Sequence, residues 1–403
     1  MAEGWRKFLE EESEHQWLAI GVFFVFVLIG AFAVDATEHF VGDRLVSPSE
    51  AYQGKLVVDI EYAPVQNEYT ALVYTPVSGY ELFTENLATG STTVAFSPDT
   101  LDLGDSVTFM RCMPDGEVVF STAPNTLTGL KDGLMVTYEY TDEFGEFGIL
   151  DVAEHTVGAS THRLLLTQEG GATSLRGTVS LMPTPSMSVS SGVQWQHVEA
   201  FDDGIWIVLG THISTAGADG SSPATPQARP ALGWVLWDGS NATPTLRNVQ
   251  LFGEGSFHSV ARQGSELVVG GTVETLVIRA DGDVESLKVA SVHALTDRDG
   301  TVWLIGDIGA TTVTTYRDGV LETHLLVHPV PVEFQSAGAQ GDFVHVHGMN
   351  AMGQPVQWSI DITANGSIES GRGFLNLMFL CVGGVVMAMM LRYALRQLLQ
   401  SEH

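Results

Sequence analysis

The chain has 403 residues, 44% of them apolar, and its 48 acidic against 18 basic side chains leave a formal net charge of −30. That balance excludes nucleic acid as a partner, because phosphate binding needs a basic footprint; cations, basic proteins and a saline medium fit it better. The apolar fraction excludes wholesale disorder, and only two cysteines, Cys112 and Cys381 in dissimilar segments, exclude a disulfide framework or a cysteine zinc pattern.

Residues 1–16 are acidic but carry Arg6 and Lys7. The next stretch, "WLAIGVFFVFVLIGAFAV" at 17–34, is eighteen residues without a charge. As a helix rising about 1.5 Å per residue it nearly crosses the roughly 30 Å of a bilayer's hydrocarbon. Asp35 ends it, and residues 35–54 read as a juxtamembrane linker.

From 55 to 370 apolar and polar residues alternate in short runs broken by glycine. One set of breaks is Thr89-Gly90, Asp132-Gly133, Gly170-Gly171, Asp238-Gly239, Asp281-Gly282, Asp318-Gly319 and Asn365-Gly366. A second set is Asp115-Gly116, Gly145, Asp203-Gly204, Gln263-Gly264, Asp299-Gly300 and Gln340-Gly341. Asp-Gly between alternating runs predicts a hairpin, since tight turns need positive φ and glycine supplies it. The segments "NTLTGLKDGLMVTYEY" (125–140) and "TTVTTYRDGVLETHLL" (311–326) align around one such break. Seven units of four strands follow, at about 55–97, 106–141, 142–181, 194–250, 256–290, 292–327 and 334–370, with six or eight left open. The stretch 212–230, rich in Gly, Pro, Ser and Thr, reads as a surface loop within the fourth unit.

A second apolar run lies within 371–391, and residues 392–403 form a tail. The stretch "GFLNLMFLCVGGVVMAMML" (373–391) has Asn376 as its strongly polar interruption and is bounded by Arg372 and Arg392. Arg6 and Lys7 before the first run, with Arg392 and Arg396 after the second, predict cytoplasmic termini and an outer region over about 36–371. Arg372 weakens that bias without reversing it. A cleaved signal peptide ending near Ala31-Phe32-Ala33 is the competing reading and leaves a single C-terminal span. The run is long for a signal peptide, and Glu10, Glu11, Glu12 and Glu14 make its approach acidic, which favours an uncleaved anchor. The central region is outside on either reading.

A repeat of this length carrying four strands resembles the broad β-propeller superfamily. The "DG-x-x-W" turn and strand, carried by Trp303 and in similar form by Trp206, looks most like regulatory-type propeller repeats. The resemblance implies an all-β propeller with ligand surfaces at the channel mouths; the units make it one of about seven four-stranded blades, and the two apolar runs flank it with one transmembrane helix at each end. Ring closure then brings the two spans together, and Gly384 with Ala388 would permit close approach of their helices.

Candidate sites are few. Asp297 and Asp299 lack the third oxygen ligand of a calcium loop, because position 295 is Leu295, and they read as a turn. His197, His258 and His293 stand six or seven residues before the first break of three consecutive units. If that strand is innermost, as the resemblance implies, they converge at one end of the channel, where neutral imidazoles suit a divalent metal, another ligand or packing. His345 and His347 alternate along one predicted strand and read as structural. Asn241 and Asn365 head glycosylation triplets in predicted turns. Nucleophile elbow, zinc-protease helix, phosphate loop and dinucleotide fingerprint are all missing from the sequence. The function expected is a membrane-anchored outer module that binds or scaffolds a protein or surface ligand, with the role of an accessory subunit of a membrane complex among the expectations. The alternatives are an outer-facing enzyme, hydrolytic or metal-dependent, and a structural envelope protein.

Overall fold

The structure is a computed structural model. It describes residues 40–46, 52–97, 103, 107–140, 145–214 and 227–363, less 64–65, 158–159, 180–181 and 189–191, with helical positions between 25 and 30 and between 378 and 392. From 40 to 363 every regular element among the described residues is a strand. Strand β1 (Phe40–Val46) comes first. The groups that follow run antiparallel and, with one exception, in chain order. They are β2–β5 (Leu56–Ala63, Glu68–Thr75, Gly79–Asn86, Thr92–Phe96) and β6–β9 (Met110–Cys112, Val118–Ala123, Thr126–Lys131, Leu134–Glu139). Next come β10–β14 (Gly148–Val157, Ser160–Glu169, Ala172–Val179, Met182–Pro183, Met187–Ser188), where β13 and β14 both pair with β12, and β15–β18 (Val193–Asp202, Ile205–Ser214, Gln227–Leu236, Thr245–Leu251). The fifth group is β19–β22 (Phe257–Gln263, Glu266–Gly271, Thr275–Ile278, Val284–Leu287). After these lie β23–β26 (His293–Thr296, Val302–Ile305, Thr312–Arg317, Val320–Leu326) and β27–β29 (Glu333–Gln340, Phe343–Met349, Pro355–Asp361). These last strands and β1 share one eight-stranded sheet, ordered β23-β24-β25-β26-β1-β29-β28-β27.

The turns show why the sequence punctuates where it does. Asp132 and Asp318 have φ of 52° and 50°, and Gly133 and Gly319 follow at 77° and 80°. Two successive positive φ values match the right-handed twist of the strands they join, β8–β9 and β25–β26. Three expectations need correction. Gly145, at φ 90°, stands ahead of β10 and not between the first two strands of its group. Residues 212–214 and 227–230 extend β16 and β17, so what remains of the expected loop is shorter. The expected linker at 35–54 contains a strand, β1, which lies beside β29 where the last group has no fourth strand of its own.

Burial follows strand position. The middle strands β21 and β24 are buried at every residue, while the outermost β9, β18 and β22 are largely exposed. Buried on both faces, β21 and β24 read as short continuous apolar runs, whereas the first strands β15 and β19 alternate. The apolar clusters lie between successive sheets. Leu72, Leu82 and Tyr80 pack with Met110, Val118 and Phe120, and Leu164, Leu166 and Leu175 pack with Trp195, Trp206 and Val208. The contacts run in a closed circuit, from β2 to β6, β7 to β10, β10 to β15, β16 to β19, β19 to β23, β23 to β27, and back from β27 to β2. At the seam Gly341 N–H donates to the Leu87 carbonyl (3.1 Å), and a Cβ on Gly341 would come 3.2 Å from the Gly90 Cα. Close backbone approach is what these two glycines permit.

The chain divides into a larger compact unit, 44–323 with 329–359, which holds this circuit, and a smaller one made of 1–43, 324–328 and 360–403. Within the smaller unit Phe40 and Val41 pair in parallel with Leu325 and Leu326, and the Asp43 carboxylate accepts the amide of Val327 at 2.7 Å. Phe26 and Phe379 stack at 5.1 Å. The two runs meet there through Gly30, whose Cβ would strike the Phe379 ring, and Gly383, 3.6 Å from Phe26; Gly384, the expected contact, faces open space. The expected spans at 17–34 and 371–391 lie mostly outside the described residues. Among the described residues no helix is long and apolar enough to cross a membrane.

Candidate functional site

The first strand of each group faces a common cavity of about 720 Å³, lined by residues of β2, β6, β10, β15, β19, β23 and β27. Five of these strands break register at a corresponding place, between Val57 and Asp59, Ile149 and Asp151, Trp195 and His197, Phe257 and Ser259, and Phe334 and Ser336. Each break is a β-bulge, an extra residue that bends the strand and re-aims its side chains. Three bulges face glycines. A Cβ on Gly210 would come 2.7 Å from the Trp195 Cα, one on Gly271 3.0 Å from the Ser256 carbonyl, and one on Gly348 would strike the Glu333 carbonyl.

The residue after the bulge staples one group to the next. The Asp151 carboxylate accepts the amides of Val152 and Val198, each at 2.8 Å, and the Asp59 carboxylate accepts those of Ile60 (2.9 Å) and Met110. The Ser259 hydroxyl accepts the amide of Ala294 at 2.7 Å. Arg111 joins the network with two bonds to Asp151, both 2.8 Å, and one to Glu199 at 2.9 Å. Burial alone would raise Asp151; Arg111 and the hydrogen bonds outweigh it and hold the carboxyl well below the ordinary range. Glu61 stands 3.8 Å from Arg111. Burial, only partly offset by Arg111, pushes Glu61 up to about 8, with the carboxylates of Asp59, Glu199 and Asp151 adding to the rise. Burial also raises Asp59. The Cys112 thiol is driven up to about 12, chiefly by burial, which makes it inert as a nucleophile at neutral pH.

All three expected histidines line this cavity. They are not equivalent in register. His197 follows its bulge, His258 is itself the extra residue, and His293 pairs regularly with Ile305 in a strand without one. His197 Nδ1 lies 3.7 Å from Asp151, His258 Nε2 is 2.9 Å from the Ser256 hydroxyl, and His293 stacks on Phe334 at 4.8 Å. Burial lowers His258 and pushes His293 down to about 4.

Among the described residues the set of three potential metal-ligating side chains within 4.8 Å is Asp115, Glu117 and Glu154. That set is engaged by cations, since Arg163 donates to Glu154 at 2.8 Å and pairs with Glu117, and Lys131 bonds Asp115 at 2.6 Å.

Asp297, His345 and His347 are engaged within the fold. Asp297 accepts the amides of Asp299 (2.8 Å) and Thr301 (2.9 Å) and the indole N–H of Trp303 (2.7 Å), so its oxygens bind the turn itself. His345 bonds Ser359 at 2.8 Å, and His347 packs edge-on against Tyr52. Asn241 lies exposed between β17 and β18, and Asn365 falls outside the described residues. Asp59, Glu61, Arg111, Asp151 and Glu199 stand in no motif that marks them in the sequence. Their signal is a charge set within an apolar first strand, with a glycine late in the neighbouring strand marking some of the bulges.

No family model matches the chain, and no curated protein matches it. Among solved structures it is similar to BBS1N in complex with ARL6DN, at 11% identity over 79% of this chain and 97% of that one, with a TM-score of 0.47. It is also similar to the Xanthomonas campestris gluconolactonase XC5397 (14%, 81% and 92%, 0.38) and to YCF48 bound to a D1 peptide (13%, 65% and 82%, 0.40). Such similarities concern fold alone. The closed circuit of antiparallel sheets, each facing a shared cavity with its first strand, defines the chain as an all-β propeller.

Proposed function

We propose that this chain is a membrane-tethered propeller of seven blades, the eight-stranded sheet counting as two, that acts outside the cell as a binding or scaffold module. The observation that carries the binding role is the cavity, built by all seven first strands and shaped by recurrent bulges. Preformed concave sites with a few convergent polar groups are where ligands bind. The tether is supported by the two apolar runs and by the Phe26–Phe379 stack between them. Both termini are cytoplasmic on this reading, and the module serves a protein or surface ligand as an accessory subunit of a membrane assembly. Membranes carrying the full chain are washed with alkaline carbonate, then dissolved in mild detergent for pull-down. Retention through the wash and a stoichiometric partner are expected. Release by carbonate alone would end the tether, and a solitary protein would end the subunit role.

A second reading is an outer-facing enzyme, favoured by Glu61 held high beside Asp151 held low, the pattern of an acid and a base kept apart. In its metal-dependent form His197, His258 and His293 hold a divalent ion. Elemental analysis of the wild type against the triple alanine variant tests it; equal metal in both would retire it.

A further inference from the structure

We propose that the central cavity binds an organic cation, a guanidinium or primary ammonium on a short apolar stem. This rests on the reading of the chain as a binding module and names its ligand class. Four carboxyl groups, Asp59, Glu61, Asp151 and Glu199, share the single guanidinium of Arg111. The close bonds of Arg111 go to Asp151 and Glu199. Glu61, at 3.8 Å, is beyond hydrogen-bonding range of it. Arg262 and Glu154 also line the cavity, Arg262 donating to the Ala200 carbonyl (2.6 Å) and Glu154 paired with Arg163, so negative charge still exceeds positive on this wall, and burial makes unbalanced charge costly. Burial raises both Asp59 and Glu61, the latter up to about 8, so Glu61 holds a proton at neutral pH. A cation bound beside Glu61 takes the place of that proton.

A second observation concerns the same lining. Ser336 follows its bulge as Asp151 and Ser259 follow theirs, belongs to the cavity's lining and is 3% exposed. Asp151 and Ser259 are bonded to the next group, whereas the buried Ser336 hydroxyl has no hydrogen-bond partner. Such a hydroxyl can accept a bond from an ammonium or guanidinium N–H. Tyr62, Phe109, Phe201 and Phe334 line the rest, offering apolar contact for a stem and π faces for a cation. His258 and His293, lowered by burial, are neutral at neutral pH and do not oppose positive charge. A compact metal ion is less suited, because the cavity's donors are spread around about 720 Å³ and the close three-ligand group among the described residues lies at Asp115, Glu117 and Glu154.

Titration calorimetry on the purified full chain in detergent tests this with butylguanidinium, butylammonium, a blocked tripeptide centred on arginine, and 1-butanol as neutral control. The cations are expected to bind and butanol not to. Glu61→Gln and Ser336→Ala should each weaken binding about tenfold, the scale of a lost charged hydrogen bond. Affinity should rise with pH toward about 8, with proton release below it, as Glu61 ionises. Preference for the tripeptide assigns the cation to a protein side chain, and preference for the free amines assigns it to a small molecule. The proposal falls if no cation binds a protein that melts cooperatively, if butanol binds equally, or if a cooperatively melting Glu61→Gln protein binds as well as the wild type. Its failure leaves the tether standing, since carbonate extraction is read independently.

Discussion

Replacing Arg111 with methionine isolates what holds three successive sheets together at the cavity wall. Arg111 on β6 makes two 2.8 Å bonds to Asp151 on β10, and Asp151 in turn accepts the amide of Val198 on β15 at 2.8 Å. The side chains of Arg111 and Asp151 are 15% and 3% exposed. Methionine fills much of the volume but removes the charge, leaving the carboxylate buried with the amides of Val152 and Val198 and the nearby His197 imidazole. Breaking a buried pair by deleting one partner costs about 3–5 kcal/mol, which in a domain of this size lowers the melting point by about 5–8 °C. Asp151→Asn combined with Arg111→Met removes the stranded charge, so the double variant should be less unstable than the sum of the singles by about 2 kcal/mol. The pH dependence follows from Asp151. Its folded value is depressed, so its stabilisation is present above the unfolded value near 3.8 and is lost only as pH falls through the lower folded one. Without Arg111 burial dominates and Asp151 takes up a proton more readily, so the gap between variant and wild type should be wide at pH 7 and narrow toward pH 4. Urea unfolding followed by tryptophan fluorescence across that range is the assay. A single-variant cost below about 1 kcal/mol, or strict additivity in the double, would refute the reasoning.

Three further outcomes are expected. Asp297→Ala removes the acceptor of two turn amides and of the buried Trp303 indole, and should cost about 2–4 kcal/mol with a shift in tryptophan emission; an unchanged melt would count against the turn's role. Glu85 is buried, bonded by the Tyr52 hydroxyl and raised to about 7, chiefly by burial. Because its folded value exceeds its unfolded 4.5, wild-type stability should fall as pH rises from about 4.5 to about 7, and Glu85→Gln should escape that loss; parallel pH profiles would overturn this. Gly348→Ala drives a Cβ into the Glu333 carbonyl opposite a bulge and should cost about 1–3 kcal/mol in chemical denaturation, whereas a neutral result would mean that the bulge can relax.

Much of the fold was legible because its signals are local. Asp318-Gly319 and Asp132-Gly133 form their turns from the conformations of two adjacent residues, and the alternating runs beside them become strands whatever lies elsewhere. The alignment of 125–140 with 311–326 matches β8–β9 and β25–β26 strand for strand. The glycine at 145 misled because positive φ marks a bend without saying which strands it joins.

Charge, repeat length, strand periodicity and the two apolar runs were the sequence's own contribution, since each depends on neighbours along the chain. Which side chains share the cavity depended on packing at long range. One extra residue in a strand reverses the faces of all that follow, so His258 at a bulge, His197 just after one and His293 in a regular strand cannot be ranked by distance from a turn. The meeting of Asp59, Glu61, Arg111, Asp151 and Glu199, from four different sheets, follows only from closure of the circuit. Burial then decides the protonation of those groups. Composition alone sets neither their spacing nor their solvent.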